Sequence, residues 1–221
     1  MTVTLVLLGV VMAVVVWWLW RQTINVRPWI AQHPIETAHG QGSLSLPPVK
    51  VGLGVFLAVA TSLFALFISA YLMRKTGPDW TTVAPPKVLW LNTGMLILGS
   101  IAMQWTRGAA QRGQTDKVKT GLIAAGVFSF SFLAGQLLAW QQLNAAGYFL
   151  VANPANAFFY LLTALHGVHL LGGLWVWGKT TAKMARGVKV GAIRLSVELC
   201  TVYWHYLLLV WLVLFALLLS A

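Results

Sequence analysis

The chain has 221 residues, of which 59% are hydrophobic and 9% are charged. A soluble domain carries about 25% charged residues, so the composition indicates an integral membrane protein. The formal net charge is +11, but the basic residues fall in short connections between apolar runs and offer nucleic acid no basic face. We therefore predict no nucleic-acid partner. The one cysteine, Cys200, is typical of a small packing residue.

Six apolar stretches approach the length of about 20 residues that a helix needs to cross the hydrocarbon layer. They run roughly over 2–20, 51–73, 88–105, 120–140, 157–178 and 198–220. We therefore predict an all-α fold, a polytopic membrane helix bundle with six transmembrane helices. We divide it into an N-terminal transmembrane helix (1–21), a cytoplasmic connecting segment (22–49) and a five-helix core (50–221).

The first stretch differs from a cleaved signal peptide. No positive charge precedes its apolar run, and no small-residue cleavage site follows it. Instead it leads through Trp17, Trp18 and Trp20 into Arg21, as a membrane anchor ends at the interface. We predict a retained helix.

The basic residues predict the orientation of the bundle. The connections after the first, third and fifth stretches carry 12 lysines and arginines, and the opposite side carries only Arg74, Lys75 and Lys87. Cytoplasmic connections are rich in lysine and arginine. Both termini are therefore predicted to lie outside the cytoplasm.

Small and weakly polar residues recur at helical spacing in the middle stretches. Thr93, Ser100 and Gln104 share a face of the third stretch, and Ser129 and Gln136 share a face of the fourth. Helices in lipid associate through such faces. We predict that these residues pack one helix against another.

The last two stretches hold the unusual polar residues, which are His166, His169, Glu198 and His205. Ionisable side chains inside a bilayer are costly and are by default functional. Glu198 and His205 lie two turns apart on one helix face, too far to touch each other. Each therefore needs a partner on a neighbouring helix, and His166 or His169 is the candidate for one of them.

Three interpretations of these four residues are open. Three histidines and a carboxylate could ligate zinc or iron by residue type. However, the three-residue spacing of His166 and His169 matches no transmembrane haem pair, and no Glu-x-x-His motif occurs. The residues would otherwise form a hydrogen-bonded structural cluster between two helices, or contact a lipid head group or another subunit. We predict no catalytic residue, metal or cofactor in this chain.

Two segments resemble those of a known family. The segment 153–169 has the pattern Asn-Pro…Phe-Phe…Thr…His-Gly-x-His, and Glu198, Tyr203, Trp204, His205, Val210, Trp211 and Leu212 supply Glu…Tyr-Trp-His…Val-Trp-Leu. Further matching residues are Lys50, Gly52, Ala70, Tyr71, Leu91, Asn92, Thr93, Phe132, Leu133, Gln136 and Trp140. From about 46 to 220 the chain thus resembles subunit III of the haem-copper terminal oxidases, in its short bacterial form with one extra N-terminal helix.

The resemblance implies a non-catalytic membrane subunit of a respiratory oxidase that reduces oxygen to water and pumps protons. Subunits I and II are then the partners, and they hold the haem and copper. It also implies structural phospholipid between the helices and a place in the bacterial inner membrane. Because the family's usual carboxylates are replaced by Ala60, Ala139 and Leu208, it implies packing and assembly rather than a proton relay that needs those acids.

Residue counts agree with an accessory role. Two haems and a copper in the catalytic subunit of such an oxidase need six histidines, and this chain has five. A dinuclear copper centre needs two cysteines, and only Cys200 is present. The alternatives are an accessory subunit of a related complex such as nitric oxide reductase, a small-molecule or ion transporter, and an assembly factor.

Overall fold

The computed structural model describes residues 48–81 and 85–220. This part of the chain contains five helices, which are α1 (Pro48–Arg74), α2 (Val88–Gln111), α3 (Thr115–Ala145), α4 (Pro154–Ala185) and α5 (Val190–Leu219). Each is long and apolar enough to cross a membrane. The all-α fold and these five predicted spans are confirmed. The predicted first span, 2–20, lies outside the described residues, as does nearly all of the predicted connecting segment 22–49.

The chain divides into two compact units, Met1–Ala65 and Leu66–Ala221. The described part of the first unit is the N-terminal portion of α1. The second unit contains the end of α1 and all of α2 to α5, and it holds the four predicted site residues.

Local sequence signals fix where α4 begins and where two helices end. Asn153 caps α4 by accepting a hydrogen bond from the amide of Ala155 at 3.0 Å, and Pro154 occupies the first turn. Both roles follow from the sequence, because asparagine accepts from a free amide and proline lacks one. Gly147 and Gly187 follow the ends of α3 and α4 with φ of 86° and 80°. Only glycine takes this conformation without strain.

In the second unit, each of the helices α2 to α5 packs against two of the others. α2 lies against α3 and α5, and α4 lies against the same two helices. Fully buried aromatic and aliphatic side chains fill the space between them, among them Phe132, Phe159 and Trp211. The polar residues of the bundle are held within this packing.

The helices α2 and α5 run antiparallel and contact each other along their whole length. From one end to the other, the contacting pairs are Trp90 with Phe215, Thr93 with Trp211, Ser100 with His205, Met103 with Thr201, and Arg107 with Glu198. A step of seven residues keeps the same helix face. Ser100 and Arg107 on α2 therefore meet His205 and Glu198 on α5.

Charged and polar contacts order the connection between α1 and α2. Arg74 donates a hydrogen bond to the carboxylate of Asp79, and this bond holds the pKa of Asp79 below its usual value of 3.8. Asn153 donates to the carbonyl oxygen of Thr81 at 2.6 Å, which ties the connection to the start of α4. Asp79 therefore remains ionised at neutral pH.

Candidate functional site

His166 lies at the centre of the bundle and is fully buried. Its ring meets the edge of Phe132 at 5.7 Å between centroids, and it lies 5.2 Å from the ring of Trp211. Neither ring nitrogen has a hydrogen-bond partner in the described part of the chain. The expectation that an α4 histidine pairs with Glu198 or His205 is therefore wrong for His166. Its contacts are those of a packing residue between α3, α4 and α5.

His169 contributes to the bundle through its backbone as well as its ring. The ring Nδ1 donates to the carbonyl oxygen of Leu165, one turn back on the same helix, at 2.8 Å. The carbonyl oxygen of His169 accepts a hydrogen bond from the hydroxyl of Tyr203 at 2.8 Å. This second bond joins α4 to α5.

Glu198 pairs with a residue that the sequence analysis did not identify as its partner. An Oε1 atom of Glu198 lies 3.5 Å from Nη2 of Arg107 on α2. About a third of each side chain is exposed, so the pair lies at the edge of the bundle. The signal in the sequence was the matching spacing, because Arg107 follows Ser100 by seven residues as Glu198 precedes His205 by seven.

His205 also turns toward α2. Its Nδ1 lies 3.0 Å from the hydroxyl oxygen of Ser100. The His205 side chain is exposed on the outer surface of the described bundle. Ser100 therefore helps to pack α2 against α5, as predicted for its helix face, and its partner is one of the four predicted site residues.

Three tryptophan–hydroxyl bridges hold the helices together. The indole N–H groups of Trp211, Trp204 and Trp140 donate to the hydroxyls of Thr93, Ser129 and Thr163 at 2.9, 3.0 and 3.1 Å. Each hydroxyl donates its own proton to the carbonyl four residues earlier, at 2.7 to 2.8 Å. A hydroxyl can donate once and still accept, so both groups of each bridge are satisfied.

These bridges join three different pairs of helices, α5 to α2, α5 to α3, and α3 to α4. The structure thereby confirms the packing role predicted for Thr93 and Ser129. The indole partners of these hydroxyls were not predicted from the sequence. The available signal was the presence of Trp204 and Trp211 inside the last apolar stretch, where an indole N–H needs an acceptor.

The four predicted site residues do not converge on a single point. Over residues 48–81 and 85–220, no three histidine, cysteine, aspartate or glutamate side chains are grouped so that they could hold a metal ion. His166 lies among aromatic rings, while His205 and Glu198 face α2. The arrangement is suited to holding helices in register.

A sequence model of the family described as cytochrome c oxidase subunit III matches residues 1–220, nearly the whole chain. The chain belongs to this family. As a member of the cytochrome c oxidase subunit III family it is a multi-pass membrane protein and a membrane subunit of a haem-copper oxidase, as the resemblance implied. The nitric oxide reductase and transporter alternatives are not favoured.

Individual relatives agree with this assignment. The chain is 27% identical to cytochrome c oxidase subunit 3 of Synechocystis sp. over 185 aligned residues. The aligned part covers 81% of this chain and 76% of the relative. The chain is 26% identical over 176 residues to the probable cytochrome c oxidase subunit 3 of Mycobacterium tuberculosis, covering 76% and 85%. The subunit 3 of Thermostichus vulcanus is 27% identical over 173 residues, with the same coverage.

Proposed function

We propose that this chain is a non-catalytic subunit that flanks and stabilises the catalytic subunit of an oxygen-reducing, proton-pumping oxidase. Its partners are subunits I and II, which carry the haem and copper. It holds structural phospholipid in the clefts between its helices. The observation that carries this proposal is the family match over residues 1–220.

The use of the polar groups supports a structural role. Tryptophan and hydroxyl side chains in the interior bond one helix to another, as in the three tryptophan–hydroxyl bridges. His166 is enclosed by aromatic rings, and Ala139 is buried where the family usually has a carboxylate. A proton pathway needs a chain of titratable or water-binding groups. The tryptophan–hydroxyl bridges and the aromatic rings around His166 instead stabilise the packing of the helices.

The proposed location is the bacterial inner membrane with both termini on the periplasmic side. The turns between α2 and α3 and between α4 and α5, together with the helix ends beside them, lie at one end of the antiparallel bundle and carry nine of the 13 basic residues in the described part of the chain. Basic connections favour the cytoplasm. Residues 1–21 then form an additional span, 22–49 a cytoplasmic connection, and 50–221 the family core.

Isolation of the complex tests this function. An affinity-tagged chain, solubilised in mild detergent, is expected to bring down haem-containing and copper-containing subunits in equal amounts with itself. The reduced-minus-oxidised spectrum of the eluate measures the haem, mass spectrometry identifies the partners, and lipid extraction measures bound phospholipid. Recovery of the chain alone, as a stable monomer without haem, would contradict the proposal.

A further inference from the structure

A groove runs between α2 and α5 on the outer surface of the second unit, with a cavity volume of about 420 Å³. Its walls include Ile101, Trp105 and Leu208. Its polar lining is Ser100, Gln104 and His205 in the middle, and Arg112 just beyond the end of α2. The groove is thus apolar with a small polar centre and one basic residue at its end. We call it the α2–α5 groove.

The polar centre lies deep in the membrane-spanning region. His205 is 15 residues from the start of α5 and 14 from its end, so it lies about 22 Å from the first residue of the helix. Its partner Ser100 is 12 residues from the start of α2 and 11 from its end. The Ser100–His205 contact therefore joins the midpoints of two antiparallel spans, and Gln104 lies about one turn nearer the cytoplasmic end.

Elsewhere, the exposed residues in the membrane-spanning parts of α2 to α5 are nonpolar. In the described ranges 88–107, 121–140, 157–178 and 195–219, every exposed residue is aliphatic, aromatic or glycine, except Gln104 and His205. Both exceptions face the same groove. They are therefore a local feature and not a general property of the surface.

Hydrogen-bonding capacity remains at this polar centre. The exposed His205 ring contacts Ser100 through Nδ1 and the backbone of Thr201 one turn back. The exposed side-chain amide of Gln104 has no hydrogen-bond partner among residues 48–81 and 85–220. A polar group that faces hydrocarbon without a hydrogen bond is strongly disfavoured. Something that covers the groove should supply these bonds.

Lipid cannot supply them at this depth. Acyl chains have no hydrogen-bonding groups, and head groups begin about 15 Å from the bilayer midplane, half the thickness of the hydrocarbon core. A transmembrane helix can supply polar side chains at the midplane, and helices in membranes associate through such bonds. The complementary surface is therefore a protein helix with hydrogen-bonding residues near its middle.

We propose that the α2–α5 groove receives a transmembrane helix of the haem-bearing catalytic subunit, which presents hydrogen-bonding side chains to His205 and Gln104. This inference rests on the proposed function, which supplies the partner. It adds the face of the chain that docks and the chemistry of the contact. The partner helix would lie against Ile101 and Trp105, with its polar residues over Gln104 and His205.

Site-specific photocrosslinking in the intact complex tests the inference. A photoreactive amino acid replaces Ile101 in the groove, or Val168 on α4 as a control at similar depth. The two native side chains are 60% and 62% exposed. We expect the probe at Ile101 to crosslink to the haem-bearing subunit. The probe at Val168 should give at least about tenfold less of that product.

A second variant measures the polar contact. Gln104→Leu should reduce the amount of catalytic subunit retained on a tagged chain after a detergent wash by at least threefold. Gln142→Leu changes an exposed glutamine near the end of α3 and should leave retention unchanged.

Other outcomes would overturn the inference. Adducts of the Ile101 probe only with lipid, with residues 1–47 of the same chain, with a second copy or with a different subunit would each do so, as would unchanged retention of Gln104→Leu. If the complex contains haem and only these results fail, the proposed function stands. If the tagged chain brings down no haem-bearing subunit, the proposed function fails and the inference fails with it.

Discussion

The hydroxyl of Ser100 lies 3.0 Å from Nδ1 of His205, and this contact joins the midpoints of α2 and α5. Seven residues toward the C-terminal end of α2, Arg107 meets Glu198 at 3.5 Å. The two pairs share one helix face, since seven residues are two turns. Glu198 and His205 thus help to fix the alignment of the antiparallel helices α2 and α5 along their length.

Glu198→Gln should have little effect on oxygen turnover. The ion pair with Arg107 is partly exposed, and pairs of this kind contribute about 0–1 kcal/mol. We expect a slight loosening of subunit association in detergent and a shift of at most a few degrees in the unfolding midpoint of the complex. Oxygen consumption and proton pumping measure function. Loss of pumping in an intact complex would show that Glu198 relays protons.

Two adjacent glycines on α4 should respond differently to alanine. A Cβ at Gly173 would lie 2.6 Å from a ring carbon of Tyr203, whose hydroxyl is held by the carbonyl of His169. A Cβ at Gly172 meets nothing within 4 Å. Overpacking costs about 1–3 kcal/mol, so Gly173→Ala should lower the unfolding midpoint. Gly172→Ala should leave it unchanged or raise it, and equal effects would refute the close approach of α4 and α5.

Trp211→Phe should destabilise the bundle by about 1–3 kcal/mol, because it removes a bridge to Thr93 and leaves space in a buried cluster. Trp175→Phe is the control, since Trp175 is 68% exposed and should tolerate the change. Thermal unfolding of the two variant complexes gives the comparison. A Trp211 variant as stable as the Trp175 variant would exclude the bridge as a structural element.

His166→Phe should preserve both stability and turnover. The imidazole lies between Phe132 and Trp211, and its nitrogens have no hydrogen-bond partner in the described structure. Replacing a buried polar group by an apolar one of similar shape can be nearly neutral. The readouts are the unfolding midpoint and oxygen consumption. A selective loss of turnover, with haem and subunits retained, would assign chemistry to His166.

The sequence was sufficient for the helices and the family. Five apolar stretches predicted α1 to α5, and Asn153 with Pro154 predicted the start of α4, because span length and capping are local properties. Which side chains pair between two helices is not a local property, because it depends on how the helices rotate and slide against each other. Periodicity placed Glu198 and His205 on one face, but only the antiparallel register of α2 and α5 shows that Arg107 and Ser100 meet them.

The tryptophan–hydroxyl bridges illustrate the same limit. A threonine or serine in a membrane helix can satisfy its proton on its own backbone, so the sequence does not show which ones also accept a bond from another helix. Thr93 and Ser129 were correctly assigned to packing faces. Their indole partners required the three-dimensional arrangement of α2, α3 and α5.

Removal of this chain from the purified oxidase separates a stabilising role from a catalytic one. Initial oxygen consumption and the half-life of activity at elevated temperature are measured with and without the chain, with the haem spectrum as the control. We expect an initial rate within about twofold of the complete complex and a clearly shorter half-life. An initial rate that collapses while the haem spectrum is unchanged would contradict it, because the chain would then take part in the chemistry.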